Sequence, residues 1–183
     1  FNFDPITQQF TQYVTSDPKV STYGNSTGLI KSPISRPYWI KTNSDGQLVF
    51  NEQTSNSIAV MDPKSESLVE YLIPSKNPSW GDCDNISDCG LAQIFDFTIH
   101  DDKIWFTEWV ENNIGVVDTS VALPFGIELD SKDISLVAGE SKNLSFIISP
   151  QQDLSEVSLI LLDPYDSLNV TSNVSDPFKL DSN

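Results

Sequence analysis

Tyr38–Glu52, YWIKTNSDGQLVFNE, and Ile94–Glu108, IFDFTIHDDKIWFTE, align without a gap at an offset of 56 residues. Each reads as two short apolar or β-branched runs around a polar turn, Ser44-Asp45-Gly46 in the first and His100-Asp101-Asp102 in the second. Short alternating runs with turn punctuation mark strands rather than an amphipathic helix. The offset persists downstream, where Ile58 matches Ile114, Val60 matches Val116 and Asp62 matches Asp118. Upstream, Asp4-Pro5 followed by Phe10-Thr11-Gln12-Tyr13-Val14 returns 58 residues later as Asp62-Pro63 followed by Leu68-Val69-Glu70-Tyr71-Leu72. A fixed period of this size is the signature of a repeat architecture, and ~40–50 residues is usual for a four-stranded propeller blade. The excess falls in two loops rich in Gly, Ser, Asn and Pro, around 16–35 and 75–90.

The expected fold is therefore all-β, a partial β-propeller of four-stranded antiparallel blades followed by a partial Ig-like β-sandwich. Residues 1–14 supply the outer strand of one blade, 35–74 a full blade and 91–120 another, so the propeller part spans 1–120. Residues 121–183 form the sandwich. Its strands are expected at 127–129, 134–137, 144–150 and 157–162, with a turn at Ala138-Gly139-Glu140. An Ig-like sandwich takes ~100 residues and about seven strands, so this one is expected to be incomplete. An irregular β tail is the alternative. Propellers close with about four to eight blades, so most of the ring is expected to lie outside this sequence. The chain begins at Phe1 without a Met or a signal segment, which reads as a processed product or one whose start is missing.

Charge narrows the function. Asp and Glu outnumber Lys and Arg 26 to 10, for a net charge of −16, and Arg36 is the single arginine. Nucleic acid and anionic membrane surfaces select clustered cations, so this charge argues against direct binding to either. The longest aliphatic run, Leu159–Leu162, is too short to cross a bilayer.

The repeat resembles the streptogramin (virginiamycin B) lyase-like family of seven-bladed propellers. The carriers are Arg36-Pro37-Tyr38-Trp39-Ile40, Asp45-Gly46, Leu48-Val49-Phe50-Asn51-Glu52 and Asn56-Ser57-Ile58 in one blade. In the other they are Ile104-Trp105-Phe106-Thr107-Glu108-Trp109 and Asn113-Ile114-Gly115. The resemblance implies lyase chemistry with histidine, glutamate and Mg²⁺ near the propeller axis. The family's histidine positions hold Tyr38 and Ile94 here, and the only histidine, His100, lies in a turn. Glu52 and Glu108 occupy equivalent places and are the candidate catalytic carboxylates. The alternative role for them is structural, bonding backbone N–H groups of the neighbouring blade.

The remaining candidates point outward. Cys83 and Cys89, the only cysteines, fit a local disulfide in the 75–90 loop and an oxidising compartment. Asp82, Asp84 and Asp88 in that loop offer hard oxygen ligands that would suit Ca²⁺; solvated surface acids are the alternative. Five Asn-x-Ser/Thr sequons occur, at Asn25, Asn85, Asn143, Asn169 and Asn173. Trp39 and Trp105 are expected in the core between blades. Trp80 and Tyr38 are the expected contact residues. Together these favour a non-catalytic extracellular binding or scaffold module of a surface or secreted glycoprotein, with no cofactor beyond Ca²⁺ or Mg²⁺. Its partners would be other protein chains or the missing part of its own propeller, in a membrane-associated or surface-layer assembly. The alternative is a Mg²⁺-dependent lyase or lactonase with its histidines on blades not present here.

Overall fold

Each repeat carries an aspartate just before a turn, and the turn geometry explains it. Asp4 Oδ1 accepts from Ile6 N–H and Asp62 Oδ1 from Lys64 N–H, both at 2.8 Å, and Asp118 Oδ1 accepts from Ser120 N–H at 3.1 Å. A short carboxylate reaching two residues ahead fixes the bend where a strand must reverse. Asn43 does the same with its amide oxygen, held by Asp45 N–H at 3.1 Å and Gln47 N–H at 2.9 Å.

Between these turns the strands form antiparallel sheets in sequence order. The computed structural model describes residues 1–17, 34–131, 134–163 and 167–182. They divide into two units, Phe1–Ser120 and Val121–Asn183. The first unit opens with β1 (Asn2–Asp4) and β2 (Gln9–Thr11) as a hairpin. A four-stranded sheet follows: β3 (Pro37–Thr42), β4 (Leu48–Glu52), β5 (Ser57–Asp62) and β6 (Ser67–Leu72). The next sheet has three strands, β7 (Ile94–His100), β8 (Lys103–Glu108) and β9 (Asn113–Asp118). Among the described residues, no strand pairs with the outer edge of β9.

Register confirms that these are copies of one unit. Phe50 faces Ala59 and Glu52 faces Ser57, just as Phe106 faces Gly115 and Glu108 faces Asn113. A shift interrupts pairing at Pro37/Ile40 and again at Ile94/Phe97. The hairpin β1–β2 repeats β5–β6 pair for pair, with Phe3 opposite Phe10 where Met61 opposes Leu68. Residues 1–14 thus hold the end of a third strand as well as the expected outer strand.

The core lies between sheets. One face of the four-stranded sheet, Val49, Ile58 and Val60, packs with Ile73 against Ile94, Phe97, Ile104, Phe106 and Val117. Its opposite face, Phe50, Ala59 and Met61, packs with Leu48, Leu68 and Tyr13. Burying each such aliphatic side chain is worth ~1.5–3 kcal/mol. Buried amides link the same sheets. Asn51 Oδ1 accepts from Trp39 N–H and its Nδ2 donates to Ile94 C=O, each at 2.8 Å. Lys41 Nζ reaches Asp96 at 2.8 Å and the Phe97 carbonyl, tying the two innermost strands together.

Two tryptophans stand elsewhere than the sequence predicts. Trp39 and Trp105 are exposed rather than buried between blades. Trp39 stands on the innermost strand, where its ring meets only Tyr38 edge-on at 5.4 Å among aromatic rings. Trp105 stands on β8, 41% exposed.

The second unit contains β10 (Phe125–Leu129) paired with β11 (Phe146–Pro150), and β12 (Leu154–Val157) paired with β13 (Phe178–Leu180). The turn falls at 138–139, as its Gly predicts. The strands expected at 134–137 and 157–162 do not form, apart from Val157 at the end of β12. No described residue of this unit is buried. These are two separate two-stranded ladders, and the packed inner faces that define a sandwich are absent among the described residues.

Candidate functional site

Glu52 and Glu108 close the second strands of their sheets, where each carboxylate turns towards the next strand. Glu52 is fully buried and accepts from Ser57 Oγ at 2.7 Å. Glu108 is buried and accepts from Asn113 Nδ2 at 3.0 Å. Among the described residues, each thus accepts from a side chain of its own sheet. Burial pushes the Glu52 carboxyl up to about 7, the Ser57 hydrogen bond opposes this, and the nearby Glu70 carboxylate adds to it. Among the described residues, the other Glu52 oxygen accepts no hydrogen bond within bonding distance. Glu70 is itself engaged, taking Ser16 N–H at 3.0 Å and the Ser16 hydroxyl.

Tyr38, Ile94 and His100 lie in three different surroundings. Tyr38 is exposed, Ile94 is buried in the core, and His100 projects from its turn beside Asp101 at 3.6 Å. A general base needs a reacting proton within ~2.6–3.2 Å, and an isoleucine has no group that could serve as one. Tyr38, expected as a contact residue, does stand open to solvent.

The long loop between the two sheets is closed by covalent and backbone links. Cys83 and Cys89 form a disulfide, both buried. Below it Asn77 and Leu91 exchange backbone hydrogen bonds at 3.3 and 3.2 Å. Asp88 pairs with Lys76 at 2.9 Å. Among the described residues, no group of three or more His, Cys, Asp or Glu side chains converges as a metal site, so Asp82, Asp84 and Asp88 are not brought together around a cation. Asn85, Asn143, Asn169 and Asn173 are all exposed. Asn25 lies outside the described residues.

The same loop delivers Trp80, on a 3-10 turn at Pro78–Trp80, to an aromatic cluster. Its ring centroid lies 5.8 Å from that of Trp109, and Trp109 lies 5.7 Å from Phe95. All three rings are about half exposed or more, at 45%, 64% and 50%. Large apolar rings grouped in the open are characteristic of contact surfaces. Asp82, Asp84 and Glu111 follow these rings closely in sequence. Trp80 was legible as an exposed aromatic from its loop; its neighbours Phe95 and Trp109 were not, because they come from the start of β7 and the turn after β8.

Other buried polar residues carry no signature of their own as single positions in the sequence. Asn56 donates to the carbonyls of Ile73 at 3.0 Å and Ser75 at 2.9 Å and accepts from Ala92 N–H at 2.8 Å. Its place in a repeated Asn-x-Ile pattern was the available signal.

Antiparallel sheets in sequence order, stacked face to face at a constant repeat, define a propeller-type chain. No protein-family model matches it, and no curated protein matches significantly. Among solved structures it is similar to streptogramin B lyases. Virginiamycin B lyase from Staphylococcus aureus aligns at 24% identity over 47% of this chain and 25% of the enzyme, TM-score 0.36. A catalytically inactive variant of that enzyme with quinupristin aligns at 26% identity over 50% and 26%, TM-score 0.37. A streptogramin B lyase structure aligns at 20% identity over 70% and 33%, TM-score 0.38. The chain thus spans a quarter to a third of the length of these structures.

Proposed function

We propose that this chain is a non-catalytic extracellular binding module of a surface or secreted glycoprotein. The observation that carries the proposal is the exposed Trp80–Trp109–Phe95 cluster beside the disulfide-closed loop. A few large aromatic anchors that become fully desolvated at the interface carry most of the energy of a contact surface. The net charge of −16 favours a cationic protein surface as the partner, and a cation over an indole face adds ~0.5–2 kcal/mol. The disulfide supports an oxidising compartment, and four exposed sequons are accessible to glycosyl transfer.

The test is a fluorescence titration of the native protein with oligolysine and oligoarginine peptides, alongside a Trp80→Ala variant. The expected result is saturable quenching that weakens about tenfold or more in the variant and fades with salt. Equal binding by the variant, or none by either, overturns the reading. So does turnover of a cyclic ester by the native protein that is lost in Glu108→Ala.

A further inference from the structure

We propose that the Trp80–Trp109–Phe95 cluster selects arginine over lysine, and that its occupant is an extended, arginine-rich segment of a partner protein. The proposal rests on the binding-module reading and narrows its partner from cationic surfaces in general to one side chain.

The three rings are set in place by one short piece of backbone. Trp109 N–H donates to the Gln93 carbonyl at 3.1 Å, two residues before Phe95. Trp80 N–H donates to the Asn77 carbonyl at 3.0 Å, and Asn77 is in turn paired with Leu91. All three rings thus hang on the segment 91–95, and a surface ordered before its partner arrives pays less ordering entropy on binding. Trp109 is the middle ring and the most exposed of the three. Its neighbours are tilted to it by 48° and 50°, so neither covers an indole face by flat stacking.

The chain that carries the rings is negative throughout. The stretches 77–96 and 104–120 contain no Lys or Arg. Lysines from outside them pair with Asp88, Asp96 and Asp118. Asp82 and Glu111 each follow a tryptophan of the cluster by two residues. A cation is therefore drawn to the rings, and its shape decides how well it stays. The lysine ammonium is a compact, strongly hydrated point charge, whereas the guanidinium is planar and weakly hydrated. Arginine can lie on an indole face while its edge N–H groups remain free to meet a carboxylate. Lysine gains mainly the Coulomb attraction, which salt screens beyond about 8 Å at physiological ionic strength.

The experiment is calorimetric titration of the native protein at physiological salt with three peptides of equal length: oligoarginine, oligolysine and oligocitrulline, the last planar but neutral. Oligoarginine should bind at least tenfold more tightly than oligolysine, and oligocitrulline more weakly than either. Trp109→Ala should cost arginine more than lysine and bring the ratio below about threefold. Equal affinity of the native protein for arginine and lysine overturns the proposal and leaves the binding module standing. A citrulline affinity matching that of arginine, or an undiminished ratio in a folded Trp109→Ala, overturns it in the same way. Binding of neither cationic peptide overturns both. The comparison on the native protein holds even where the variant fails to fold.

Discussion

A carboxyl sealed between strands must either lose its charge or find a cation, and Glu52 does the former near neutrality. Its carboxyl titrates near 7 in the folded chain against about 4.5 when exposed. The folded state therefore binds this proton more tightly than the unfolded state. The resulting stability is complete below about pH 4.5 and is lost as pH rises through 7. A shift of this size corresponds to about 3 kcal/mol. Thermal unfolding should fall by several degrees between pH 6 and 8.5, and Glu52→Gln should flatten that slope and melt higher at pH 8.5. A slope unchanged in Glu52→Gln would place the titration elsewhere. Asn56 is the second residue on which the fold turns. Asn56→Ala orphans the Ala92 N–H and two carbonyls, at ~1–3 kcal/mol for each buried group left unpaired. Urea unfolding should move its midpoint down with an unchanged slope. The sequence singled out Glu52 and Glu108 by their repetition. It could not single out Glu70 or Ser16, which meet near Glu52 only after some 50 residues of chain have folded back.

At the scale of elements, the strands were legible and their surroundings were not. Alternation and turn chemistry are local, so β3 to β9 fall close to the expected runs. Whether a strand residue is buried depends on the sheet stacked over it, which is why Trp39 and Trp105 read as core and are exposed. The loop at 75–90 shows the same limit. Its cysteines announced a disulfide, but the need for glycine at position 90 is visible only in space. Gly90 has φ +138°, and a Cβ there would lie 2.3 Å from the Asn77 carbonyl carbon. Gly90→Ala should break the Asn77–Leu91 pairing and lower the melting temperature, and the loop should become cleavable by protease with the disulfide intact. Gly115 is a gentler case. A Cβ there meets the Phe106 ring at 2.2 Å, yet Ala59 is tolerated opposite Phe50 in the other sheet. Gly115→Ala should therefore cost only the ~1–3 kcal/mol typical of overpacking, and a complete loss of folding would contradict the equivalence of the two sheets.

For the molecule as a whole, the sequence changes character at the point where the repeat stops, and the order within the first unit was legible while that within the second was not. The repeat could be read because it specifies the same contacts more than once. Residues 121–183 have no second copy to check against, and apolar runs such as Leu159–Leu162 look like a core strand whether or not anything packs on them. In the structure every described residue of this unit retains solvent exposure, so its ladders rest on hairpin hydrogen bonds and little apolar burial. Two-stranded ladders of this kind are marginally stable in water. The first unit, by contrast, buries a continuous core between its sheets. Local opening should then cost far less in the second unit than in the first. Limited proteolysis at pH 6, where Glu52 is protonated, should cut within 121–183 well before 35–120 and leave a protected fragment ending near Ser120. Hydrogen exchange should agree, with the amides of β10 to β13 exchanging in seconds to minutes while those of β4 and β5 persist for hours. Protection of β10 to β13 equal to that of β5 would mean that the second unit finds a packed partner in solution. It would then have the buried inner faces that a sandwich requires.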